Sequence, residues 1–212
     1  MDRPKPDVVL EAESRRSEGA VRSSKAHQAI LAAALEILEE QGYTGFTIEA
    51  VALRARAGKP TIYRWWKSKG ALLVEINDQL FAPLFQLPEL GSVEKELAAY
   101  LTTLWRILRV HPNSIRGAFS AAQHDADTAK LLRDQMLVRR RTFVHGIMTR
   151  GIARGELTSS FDVDTAVDVF LGFNVFRLLI DEAIGEREAR NFVSILLGGL
   201  RREPSVAARA CR

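Results

Sequence analysis

Residues 47–73 read TIEAVALRARAGKPTIYRWWKSKGALL, and the periodicity of this stretch decides the fold. Ile48, Val51 and Ala52 share one face of a short helix, with Thr47 placed to cap its first turn. A break at Ala55–Gly58 follows. A second short helix then tolerates Pro60 because the proline lies in its first turn. Ile62 and Trp66 are four residues apart and share its inner face, where they can pack on Ile48 and Val51. Two short helices joined by a tight turn form a helix-turn-helix. Lys59, Pro60, Thr61, Tyr63 and Arg64 point away from the core. Trp65 lies about 100° round from Trp66, with phosphate contact and simple packing both open to it.

Charge adds to this reading. The chain carries 30 Lys and Arg against 26 Asp and Glu, a surplus too small to mean much alone. Between Leu53 and Ala71, however, there are Arg54, Arg56, Lys59, Arg64, Lys67 and Lys69 and no carboxylate. Such a local field attracts polyanions.

Working outward, residues 1–22 are polar, contain Pro4 and Pro6, and are expected to form a flexible arm. Ser23 or Ser24 can cap a helix with Ile30, Ala33, Ala34, Ile37 and Leu38 on one face, stopped by Gly42. Ser68 can cap a helix with Leu72, Leu73, Ile76 and Leu80 inward. The stretch FAPLFQLPELG (81–91) holds two prolines and a glycine and marks a boundary. Residues 23–80 thus read as one domain carrying the helix-turn-helix and 81–203 as a second helical domain, with 204–212 a flexible tail. In the second domain the spacing predicts helices over 92–110, 113–123, 127–153, 163–184 and 186–202. No strand-like alternation occurs, so the fold class is all-α.

Several other classes lose support. GKPT lacks the earlier glycine of a phosphate-binding loop, since position 53 is Leu, and Pro60 interrupts its run. His27, His111, His124 and His145 are scattered, and the acids beside His124 read as helix caps, so no metal site and no cofactor are expected. Arg139–Arg141 cannot face one way on a helix and read as solvated or ion-paired surface. The lone Cys211 implies no disulfide. The N-terminus lacks the apolar core of a signal peptide, and VFLGFNVFRLLI (169–180) is too short and too polar to span a membrane. A cytoplasmic, non-enzymatic protein is expected.

The pattern TIEAVA…AGKPTIYRWWKSKGALL resembles the TetR family of bacterial transcriptional regulators over residues 25–76. The resemblance implies that Lys59, Pro60 and Thr61 meet base edges in the major groove. It implies phosphate contacts for Tyr63, Trp65, Lys69 and Thr47, with Arg64 also on the DNA face. One position departs from the pattern: the family usually has Gly in the turn where this chain has Arg56. A non-glycine residue held at positive φ costs on the order of 1 kcal/mol, unless the turn rearranges, and Arg56 can gain a phosphate in return.

The resemblance also implies that the second domain binds an effector and dimerises, giving a homodimer on a palindromic operator in double-stranded DNA. Val167, Phe170, Leu171, Phe173, Val175 and Phe176 wrap most of one helix, which therefore needs cover on two sides. Candidate interface residues are Val167, Phe170, Leu171, Val175, Phe192, Ile195, Leu196 and Gly199. Candidate pocket residues are Trp105, Phe119, Met136, Phe143, Phe173, Asn174 and Arg177, for which ordinary core packing is the competing reading. Asn174 and Arg177 need polar partners, in a ligand or across the dimer. The aromatic content points to an apolar or aromatic small-molecule effector. A regulator without an effector, a helical enzyme and a nonspecific nucleic-acid binder are the alternatives.

Overall fold

The computed structural model describes the backbone of residues 6–182 and 185–200, with side chains from Ser24 onward. Among these residues there are helices and no strands. In order they are α1 (Pro6–Gly45), α2 (Ile48–Arg54), α3 (Lys59–Trp65) and α4 (Lys69–Phe81). A 3-10 turn (Ala82–Gln86) leads to α5 (Val93–Val110), α6 (Pro112–His124) and α7 (Ala126–Leu131). A π-turn (Leu132–Leu137) joins α7 to α8 (Val138–Ala153), and α9 (Val163–Leu179) and α10 (Glu186–Gly198) follow.

The arm expected over 1–22 is corrected in part: the backbone is already helical from Pro6, and the helix runs through Ser23 and Ser24 rather than starting at them. Proline suits a first helical position, and the Glu, Ala and Arg that follow are strong helix formers. Residues 1–5, and the tail expected over 204–212, lie outside the described residues. Gly42 does break α1, at φ 65° and ψ −172°, before one last turn. The helix expected over 127–153 contains a π-turn, and α9 ends early because Asp181 takes φ 57°.

Two cores organise these helices. The first packs Ile30, Ile37, Leu38, Ile48, Val51, Ile62, Trp66, Leu72, Leu73 and Ile76 from α1 to α4. The second packs α5, α8, α9 and α10 around Leu97, Tyr100, Leu101, Leu104, Trp105, Val144, Val167 and Phe170. α4 belongs to both: Leu72, Leu73 and Ile76 enter the first core, Val74 and Phe81 the second. α6 is wedged against α1 and α4. The Asn113 amide N–H donates to Glu39 Oε2 at 3.2 Å and its side chain to the Glu39 carbonyl at 3.0 Å. Asn77 on α4 donates to the Ser114 carbonyl at 3.1 Å. Burial pushes the Glu39 carboxyl above its ordinary range against these bonds.

At its start α4 also meets α7. A Cβ at Gly70 would stand inside van der Waals contact with Thr128, whose side chain is buried. Gly70→Ala should therefore lower stability by about 1–3 kcal/mol in urea denaturation. A Gly146→Ala control, where a Cβ meets only the end of the Arg150 side chain at 3.5 Å, should show no such loss.

Candidate nucleic-acid interface

The caps expected from the sequence are present. Thr47 Oγ1 accepts the Ala50 N–H at 3.1 Å, and Ser68 Oγ accepts the Ala71 N–H at 3.1 Å. Thr47 is thus engaged in starting α2, though its side chain remains exposed. Between α2 and α3 the Ala57 N–H donates to the Ala52 carbonyl at 3.0 Å and the Arg56 N–H to the Leu53 carbonyl at 3.3 Å. This pair is a Schellman closure, whose left-handed position is normally glycine. Arg56 occupies it at φ 51°, so the turn is kept and the strain sits on Arg56. The residue is exposed.

Ile62 and Trp66 are buried, as their spacing predicts, and anchor α3 from within. The Trp66 indole N–H donates to Glu75 Oε2 at 2.6 Å, while the other Glu75 oxygen lies 3.1 Å from His27 Nε2. His27 stacks on Trp66 and takes Trp65 edge-on, both at 4.7 Å between centroids. Trp65 is 39% exposed, with the Arg64 guanidinium 5.6 Å above its ring. Part of the Trp65 ring is therefore in contact and part stays exposed. Lys59, Pro60, Tyr63 and Arg64 are exposed along the outer side of α3, and Thr61 is half-buried.

Three cations behave differently from the expectation. Lys69 is already engaged within the subunit: it donates to the Tyr43 carbonyl at 3.1 Å and lies 3.9 Å from the Tyr43 ring centroid. Desolvation there pushes its ammonium below the ordinary lysine range. Lys59 forms an ion pair with Glu49 at 2.5 Å. That bond holds the Glu49 carboxyl below, and the Lys59 ammonium above, their usual values. Arg54 turns back to α1, 2.7 Å from Glu40 and 3.8 Å from Glu36. The open positive charge of the face thus reduces to Arg56, Arg64 and Lys67, with Lys59 available by exchange of its partner. Tyr43, His27, Glu49 and Glu75 were missed from the sequence, because their partners lie 9 to 48 positions away on other elements.

In the second domain the candidate residues divide. Trp105 donates to Asn174 Oδ1 at 2.8 Å, and the Asn174 amide donates to the Phe170 carbonyl at 2.8 Å. Asn174 is thereby satisfied within the subunit and needs neither ligand nor dimer partner. Arg177 pairs with Glu182 at 2.6 Å. Met136 is core, Phe119 packs against that core, and Phe173 stacks on Phe192 at 3.8 Å. A pocket of about 190 Å³ brings Trp105 and Arg177 together with Arg109, Arg116, Leu178 and Asp181. A smaller one of about 90 Å³ is bordered by Phe143, Ile147 and Leu87.

Two interface candidates are corrected. Val167 and Phe170 are fully buried inside the subunit, because 167, 170, 174 and 178 form the inward face of α9. Leu171, Val175, Phe192 and Leu196 are half-buried, and Ile195 and Gly199 are exposed. The outward apolar residues are Val169, Phe176 and Leu179 on α9, Ile180 at its C-terminal cap and Ile195 on α10, the last 77% exposed.

A helix-turn-helix carried on an apolar helical body is the architecture of a one-component DNA-binding regulator. The chain belongs to the TetR family. Residues 30–76 match the family model for "Bacterial regulatory proteins, tetR family" and residues 87–209 that for "Tetracyclin repressor-like, C-terminal domain". It is accordingly a DNA-binding transcriptional regulator. It is 31% identical over 163 residues to the HTH-type transcriptional regulator YdeS of Bacillus subtilis, covering 76% of this chain and 82% of that protein. It is 28% identical over 145 residues to the DNA-binding transcriptional repressor TetR of Mycobacteroides abscessus, covering 64% and 72%. Among solved structures, the TetR family regulator SCO0332 superposes with a TM-score of 0.68 at 29% identity, covering 84% of this chain and all of that one. No helix of the described residues is long and apolar enough to cross a membrane. Asp125, one of the acids beside His124, caps α7 by accepting the Asp127 and Thr128 N–H groups.

The strain at Arg56 has a measurable consequence. Arg56→Gly should stabilise the protein by about 1 kcal/mol in urea denaturation, since glycine adopts positive φ without a Cβ penalty. Arg56→Ala removes the same charge but keeps the penalty, and should give no such gain.

Proposed function

We propose that the protein is a dimeric, ligand-responsive repressor that acts in the cytoplasm on a palindromic operator and is not an enzyme. The observation that carries this reading is the division of α3 into a buried inner face and an exposed cationic and polar outer face. Lys59, Pro60 and Thr61 stand at its N-terminal end, the part of a recognition helix that meets base edges. A lysine favours guanine and the Thr methyl favours thymine. Arg56, Tyr63, Arg64 and the exposed edge of Trp65 flank them and fit phosphate contacts, which set register. Lys59 leaves Glu49 for DNA, an exchange of one charged partner for another. Lys69 serves indirectly, by locking the end of α1 to the start of α4.

Dimerisation is supported by the exposed apolar stripe of Val169, Phe176, Leu179 and Ile195, a surface that a monomer would leave wet. Gly172 on α9 and Gly199, just past the end of α10, lie exposed and leave room for close approach. Two copies are also needed because one seven-residue helix reads too few base pairs for regulatory specificity. Repression is the activity named for the M. abscessus relative. Response to a ligand follows if an effector prefers a subunit arrangement with different spacing of the two α3 helices, which lowers DNA affinity by linkage. Because α4 contributes to both cores, its position is the natural carrier of that change.

Gel shifts with excess competitor DNA test the reading. Lys59→Ala and Thr61→Ala should each change base preference at one or two positions per half-site by about 1–3 kcal/mol. Arg56→Ala should weaken all sequences alike. Equal losses on every sequence for all three variants would overturn the groove assignment. For the dimer, Ile195→Glu should shift sedimentation from dimer to monomer with helical content kept, and an unchanged dimer would rule out this face.

A further inference from the structure

The three consecutive arginines of α8 have three different fates. Arg139 donates to Asp78 Oδ1 at 2.9 Å on the surface, and Arg141 lies 3.1 Å from Asp164 and 3.4 Å from Asp168. Arg140 points inward and is 7% exposed. Its Nε donates to the Tyr100 hydroxyl at 2.9 Å, and its guanidinium carbon lies 5.2 Å from the centroid of Phe81. Among the described residues no carboxylate pairs with it. Glu96, one turn before Tyr100 on α5, is already held by Arg150 at 2.7 Å and Arg154 at 3.6 Å. A buried cation without a counter-charge is costly, and here it sits in the core of the domain that the family uses for regulation.

The inward placement is built into the chain. Leu132, Met136, Arg140 and Val144 are all buried and recur every four residues, wider than the 3.6 of an α-helix. The π-turn at Leu132–Leu137 widens the helix just before Arg140 and absorbs the difference. The surroundings also suit an anion. The Tyr100 oxygen accepts from Arg140, so its own proton is free to donate elsewhere, beside the remaining guanidinium N–H groups. A guanidinium fork and a phenol O–H together match a carboxylate. Around them stand Phe143, 6.1 Å from the Tyr100 ring, and Phe170, at 5.6 Å. The 90 Å³ cavity at Phe143 and Ile147 is a separate space, lined also by Leu87, Pro88, Glu89, Glu96 and Arg150 and by neither Arg140 nor Tyr100.

We infer that Arg140 and Tyr100 are the anion-binding pair of an effector site that takes an organic carboxylate with an apolar body. The carboxylate supplies the missing counter-charge and the Phe81, Phe143 and Phe170 rings take the apolar part. The inference rests on the ligand-responsive reading above, but its test needs no DNA. A result here therefore stands apart from any failure of operator binding.

Thermal denaturation of the full chain is followed with butyrate, octanoate, dodecanoate and benzoate, each beside its primary amide. At least one carboxylate should raise the melting temperature by about 5 °C at saturation while its amide does not. Arg140→Met should abolish that shift, Arg140→Lys should keep part of it, and Arg139→Met should keep all of it. Without ligand, Arg140→Met should melt no lower than the wild type, since it removes an uncompensated charge. Tyr100→Phe keeps the charge and removes one donor, and should weaken apparent affinity about tenfold. The inference is overturned if no carboxylate stabilises the wild type more than its amide. It is equally overturned if Arg140→Met responds as the wild type does, or if Tyr100→Phe binds undiminished.

Discussion

The anchoring of Trp66 is the constraint on which the DNA-reading face depends. Its ring fills the first core at the end of α3, and its indole N–H is held by Glu75 on α4. His27 on α1 stacks on the same ring and reaches the same carboxylate. Three helices therefore meet at one side chain. Since Ile62 is buried one turn earlier, α3 is pinned at two points on its inner side and has little freedom to rotate about its axis. Its outer residues owe their presentation to these contacts, not to any stability of a seven-residue helix, which would be marginal alone.

α4 extends the constraint to the second domain. It receives the Trp66 bond at Glu75, sends Leu72, Leu73 and Ile76 into one core and Val74 and Phe81 into the other, and is braced by Asn77 against α6. Phe81 is also the ring beneath the Arg140 guanidinium. The proposed effector site and the proposed DNA face are thus joined through one helix with contacts at both ends. Such continuity is a physical route for coupling, and becomes allostery only where two states of α4 are biased by both partners.

Much of this was legible in the sequence, and what was not has a common cause. The spacing of Ile62 and Trp66, the caps at Thr47 and Ser68, and the break at Ala55–Gly58 are local features governed by helix geometry. Arg56 was legible for the same reason, because a tight turn between two such helices demands a left-handed residue wherever glycine is missing. The roles of Lys59 and Lys69 were not, since their partners Glu49 and Tyr43 are brought near only by the fold. On α9 the apolar residues cover both sides, so composition could not tell inward Val167 and Phe170 from outward Val169 and Phe176. Arg140 was hidden for a related reason: a run of three arginines reads as surface, and only the π-turn and the facing Tyr100 turn the middle one inward.

The central claim, that two copies of α3 read DNA from a symmetric pair, is tested most directly by a hydroxyl-radical footprint of the wild-type protein on the DNA flanking its own gene. The account predicts two protected segments on one face of the duplex, with centres about 34–36 Å or a multiple of that apart, persisting in excess competitor DNA. A single unpaired segment, or protection that competitor titrates away, would contradict it.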